Sequence, residues 1–154
     1  MYPVLIVLHS WLRWAVVLLG LVAVFRAISG RSSGRAWGTR DDSAGRFYTM
    51  LFDVQLLIGL LLYVFASPIV TMARQHMGES MANDVTRFWL VEHPVGMIVA
   101  LALAHIGRVR VGKAATDRSR FGRAALFYGL SLLVALLTTP WPGLAHGRPL
   151  FHWF

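Results

Sequence analysis

The chain contains no cysteine. That excludes disulfides, iron–sulfur clusters, thiolate metal sites and cysteine nucleophiles, and leaves histidine as its one strong nitrogen ligand. Acid is scarce too: seven Asp and Glu stand against fifteen Lys and Arg, for a formal charge of +8. Lysine is almost missing, with Lys113 the single example among the arginines, a codon bias of GC-rich bacterial genomes. Only 14% of the 154 residues are charged while 56% are hydrophobic, a balance too apolar for a soluble domain of this size. A basic protein that binds nucleic acid needs its cations on one accessible surface. Here they fall in short loops between apolar runs, so no nucleic-acid partner is expected, and with no nucleophile motif a hydrolase is not expected either.

What is abundant is long apolar sequence. Four stretches, roughly 3–28, 47–70, 88–107 and 124–139, approach or exceed the ~17–25 residues a helix needs to cross a bilayer, the last being slightly short. Lipid leaves helices as the spanning form for such runs. The expected fold is therefore an all-α membrane protein, one domain of four transmembrane helices in an up-down-up-down bundle. The first run has no basic segment before it, is too long for the core of a signal peptide, and is followed by Arg26, Arg31 and Arg35, so it is expected to persist as a helix. Arg26, Arg31, Arg35, Arg40 and Arg46 follow the first span, and Arg108, Arg110, Lys113, Arg118, Arg120 and Arg123 follow the third. The positive-inside rule puts both loops in the cytoplasm and both termini outside, in a bacterial inner membrane. Trp11, Trp89 and Trp141 then gather near the outer boundary as an aromatic belt. Pro140-Trp141-Pro142 ends the fourth helix there, and the Gly/Ser/Arg-rich 30–45 segment is a solvated connector.

Ionisable residues inside such spans mark candidate sites until a partner accounts for them. Counting about 1.5 Å per residue from the outer ends puts His9 and His93 at one depth, roughly 10 Å below the boundary. They lie on the diagonal first and third helices, where bundle cofactors are built from facing side chains. Two facing imidazoles suit the axial positions of a haem b. Each histidine heads a stripe of small residues, His9, Arg13, Val16, Gly20, Ala23 and His93, Gly96, Ala100, Ala104, Gly107, which admits either a flat macrocycle or close helix packing. Arg13 shares the His9 face one turn further in, and Glu92 is the acceptor expected for it. That pair is either a structural lock or the flank of a haem edge or quinone headgroup, with Trp11, Trp14 and Trp89 as walls. Pro94 frees the carbonyl of Leu90, which needs a substitute donor. His105 lies too deep and too far round its helix to serve the same haem, and Asp53 is its expected partner, unless it reaches for interfacial water. Gln55, Gly59 and Tyr63 read as packing on one face of the second helix, and His76, His146 and His152 as solvated.

The blocks LHSWLRW, DVQLLIGLLLYV, RFWLVEHPVGMIVALALAHIGR and TTPWP together resemble small four-helix bacterial membrane proteins of the cytochrome b-like type, over nearly the whole chain. The resemblance implies haem ligation with His9 and His93 as axial ligands. Only one histidine pair is present, unlike larger two-haem cytochromes b. The leading reading is thus a membrane protein with one haem near the outer face, exchanging electrons with quinol or a partner protein. Its rivals are a cofactor-free structural subunit of a larger respiratory or photosynthetic membrane complex, and a small proton-coupled carrier using Asp53, Glu92 and His105.

Overall fold

The computed structural model describes residues Met1–Trp153. Among them the chain is helical, with no strand. Four long helices, α1 (Tyr2–Ser33), α2 (Thr39–Ala66), α5 (Asp84–Gly112) and α6 (Asp117–Leu137), are long and apolar enough to cross a membrane. Between α2 and α5 lie two short ones, α3 (Pro68–Gln75) and α4 (Met77–Ala82).

The helix limits follow local chemistry rather than hydropathy alone. Pro3 occupies the first turn of α1, where a missing N–H costs nothing, and Gly34 ends the helix in the left-handed region at φ 67°, beyond the end of the apolar run. The second run, read as one span to residue 70, breaks instead at Ser67, which is extended because Pro68 follows it. Asn83 caps α5 by accepting from the N–H groups of Val85 and Thr86 at 3.0 and 3.2 Å, and the Thr116 side chain caps α6 through Ser119 N–H at 3.2 Å. Beyond α6, Trp141 Nε1 donates at 2.8 Å to the Leu136 carbonyl, which also takes the N–H of Thr139 at 3.4 Å.

α1 packs against α2 and α6, α2 against α5, and α5 against α6, so α1 and α5 stand diagonally. The centre is tied by Tyr48 on α2, Ser131 on α6 and Ala100 on α5. Ser131 spends its one hydroxyl proton on the Ala100 carbonyl at 2.7 Å, so Tyr48 is the donor in its 2.7 Å bond to Ser131. The small stripes serve close packing: a Cβ at Gly20 would stand 2.9 Å from the Tyr48 ring, and one at Gly107 2.8 Å from Phe127. At the arginine-rich end the buried Asp41 carboxylate takes Arg26 at 2.8 Å and Arg35 at 2.6 Å. Asp42 meets Arg108 across the α2–α5 contact at 2.8 Å. Large apolar side chains such as Leu18, Phe25, Leu57 and Leu137 are left on the outside, a surface compatible with lipid.

Candidate functional site

α5 does not begin as a regular helix. Residues Phe88–Glu92 form a π-turn, a wide turn with one extra residue that recurs at functional sites. Its last N–H, on His93, reaches back to Phe88, and Pro94 has none to give. The Leu90 carbonyl is therefore free of the helix ladder, and Tyr63 OH on α2 donates to it at 3.0 Å. The donor that Pro94 demands is thus a residue the sequence presents as packing.

His93 follows this turn and faces His9 across the bundle, the ring centroids 6.3 Å apart and the planes at 73°. Phe88 and Trp89 flank His93 at 5.8 and 5.5 Å. Its Nδ1 lies 2.8 Å from the carbonyl of Thr138 at the end of α6. A carbonyl only accepts, so Nδ1 carries the proton and Nε2 of the neutral ring keeps a lone pair. On α1, the His9 carbonyl accepts from Gln55 Nε2 at 2.9 Å. Gly59 lies against the His9 ring, where a Cβ would stand 3.1 Å from Cε1. His9 Nδ1 is buried with no partner.

Arg13 does not pair with Glu92. Glu92 instead binds Arg87 Nε at 2.8 Å, and Arg87 also holds Asp84 at 2.8 Å, all on the surface. The cause is angular: neighbours in a helix point about 100° apart, so Glu92 cannot share the inward face of His93. Arg13 donates to the Leu150 carbonyl instead. Trp14 Nε1 joins it there at 3.0 Å and Ser10 Oγ at 3.4 Å, while Ser10 accepts from His152 N–H at 3.2 Å. Residues 148–153 are thereby strapped over the His9 end of α1, with Phe151 and Trp153 on Trp11 at 4.8 and 5.0 Å.

The strap makes the tail part of the site. One cavity is lined by His9, Arg13, His93, Arg148 and His152 together with apolar residues of α1, α2 and α5. No Asp or Glu lines it, and Arg13 Nε and His152 Nε2 are buried there without partners. Arg148 sits over the Trp89 ring at 5.0 Å. His146 stacks on Phe88 at 3.6 Å and 14°. So of the three histidines expected in water only His76, in the short turn between α3 and α4, is exposed. Burial first, then the charges of Arg148 and Arg13, holds the His152 ring below the ordinary histidine range. The Pro- and aromatic-rich run GRPLFHWF was the available signal for this docking.

His105 meets Asp53 as expected, Nε2 to Oδ1 at 2.8 Å. Both side chains are about half exposed, on the outside of the α2–α5 contact and away from the cavity. Asp53, His105 and Glu92 therefore do not converge on one place.

Among the described residues no three His, Asp or Glu side chains gather around one point. A metal between His9 and His93 would have two protein ligands, and its other positions would have to come from another molecule. The fold and the site define an all-helical membrane protein with a histidine-paired, cation-lined cavity. No protein-family model, curated protein or solved structure matches the chain.

Proposed function

We propose that the chain is a cytochrome b-like membrane protein that binds one haem b between His9 and His93 and exchanges electrons with quinol or a partner protein. The observation that carries this reading is the apposition of the two rings, 6.3 Å between centroids, with Nδ1 of His93 fixed on a backbone carbonyl. A metal-bound histidine generally donates its other ring N–H in this way. Nε2, with its lone pair, would then be the atom of His93 that holds the metal.

The rest of the donor set fits the same group. His9 and His93 are the two residues that would hold the iron of such a group. Its two carboxylates would require cationic donors, and Arg13 and Arg148 line the cavity without an acid among its residues. Haem iron supplies a one-electron couple whose potential follows its axial ligands and surroundings. In this chain His93 is held in one tautomer and orientation by Thr138, and Phe88 and Trp89 wall its ring away from water. Glu92 plays no part in the cavity, so quinol enters only as an electron partner.

The arginine distribution supports a bacterial inner membrane with the cavity and both termini on the outer side. The test is the reduced-minus-oxidised visible spectrum of protein purified from membranes. We expect a low-spin six-coordinate haem spectrum that His9→Ala or His93→Ala abolishes and His105→Ala leaves nearly unchanged. Protein purified from haem-replete cells without any haem, and as stable with His9→Ala as without, would favour the structural-subunit reading instead, for which the close fit of the glycine stripes to neighbouring helices already gives support.

A further inference from the structure

We infer that a second copy of this chain docks on the outer face of α2 and α5, with its Asp53–His105 pair against this one. α2 presents outward Met50, Val54 and Leu57, and α5 presents Val99, Ile106 and Val109. Within this apolar surface the half-exposed Asp53 and His105 are the polar exception. Ionisable side chains in membrane spans almost always face a protein interior or a water-filled cavity. Here each has one partner, the other, which leaves His105 Nδ1 and Asp53 Oδ2 free. Unpaired polar atoms against hydrocarbon are costly.

What is left over, one ring nitrogen of His105 and one carboxylate oxygen of Asp53, is complementary to itself once the ring carries a proton on both nitrogens. In a two-fold pair the free ring nitrogen of each His105 donates to the free oxygen of the opposing Asp53. With both rings protonated, two imidazoliums and two carboxylates close a cycle of four hydrogen bonds in which every donor has an acceptor and the charges cancel. Membrane geometry favours this match. Two copies inserted in the same direction can be related only by an axis along the membrane normal, which puts both Asp53–His105 pairs at the same depth without further adjustment. A different subunit would have to supply its own acid and base at that level.

The absence of cysteine provides a clean test, independent of haem binding. Single substitutions Leu57→Cys on α2 and Ala102→Cys on α5, one turn from Asp53 and His105, are oxidised in native membranes, with Leu133→Cys on the exposed face of α6 as control. We expect a disulfide-linked species of twice the chain mass from Leu57→Cys or Ala102→Cys and none from Leu133→Cys. Adding Asp53→Asn or His105→Gln, which preserve side-chain size, should lower the cross-linked fraction at limiting protein density, about tenfold for the loss of two interhelical hydrogen bonds. Cross-linking no greater at positions 57 and 102 than at 133, an adduct of another mass, or a dimer indifferent to both polar substitutions would each overturn the inference. Helix content and thermal transition of each variant distinguish loss of docking from loss of fold.

Discussion

The carbonyl of Thr138, the first residue past α6, accepts from His93 Nδ1 at 2.8 Å, so the end of one helix sets the aim of a side chain on its neighbour. Gly96, three residues further along α5, makes the approach possible. Any side chain there would meet Thr138. His9 has a different support, a glycine at its back and no partner on Nδ1. The two rings therefore respond differently to substitution.

Gly59→Leu should push the His9 ring from its place while leaving the His93–Thr138 bond intact. If haem is ligated by both rings, the spectrum changes from low-spin to five-coordinate high-spin, whereas Gly59→Ala, which asks His9 to yield by tenths of an ångström, keeps most of the low-spin form. Visible spectra of the two variants check this. A Gly59→Leu protein with an unchanged low-spin spectrum would remove His9 from the ligand set.

Tyr63→Phe leaves the Leu90 carbonyl without its donor and is expected to destabilise by about 1 kcal/mol, the scale of a polar contact between membrane helices. The thermal transition in detergent should fall accordingly. Because Leu90 lies in the turn that aims His93, the variant should also bind haem less tightly. An unchanged transition would mean that another group satisfies the carbonyl.

The docked tail should loosen in acid. The folded His152 has a lower proton affinity than a free histidine, through burial and then Arg148 and Arg13. Its contribution to docking is therefore fully present above the ordinary value of 6.5 and is lost as pH falls below it. Trp153 fluorescence, sensitive to the neighbouring Trp11 ring, should change over that acid range in the native protein and respond less in His152→Gln. A transition of equal size in both proteins would assign it to another group.

Reporters fused after Gly34 and Ala115 should read cytoplasmic, and one after Gly78 external. A cytoplasmic signal at Gly78 would invert the proposed orientation and put the cavity on the inner side.

The sequence makes the four spans plain because each apolar run is near the thickness of a bilayer, and it makes the His9–His93 level plain because helical rise is a fixed measure. The orphaned Leu90 carbonyl was legible from Pro94 alone. Its donor was not, since Tyr63 reaches it only through the way α2 crosses α5. Pairing Arg13 with Glu92 failed for a related reason. Depth can be counted along a helix, but Glu92 belongs to a wide turn and points away from His93. Arg13 finds its acceptor at Leu150, 137 residues away, a distance over which no periodicity speaks. The aromatic-rich tail signals that His152 docks, but where it and His146 come to rest is set by Trp11, Trp14 and Phe88 across an irregular segment.

The π-turn at Phe88–Glu92 gives α5 one residue more than a regular helix uses over the same rotation. Deleting one residue from this turn would restore a regular helical ladder and leave the chain no less able to span a bilayer. The segments before and after the turn would keep their phase, so Arg87 and His93 would stay on the faces they now occupy. What would change is local, the loss of one of the five side chains that the wide turn places between them, Phe88 and Trp89 beside the His93 ring among them. The spare residue is thus room for one more side chain next to the imidazole, gained without turning the rest of the helix. Length variation at this one turn is therefore a change that hydropathy would pass over and that only the site would register.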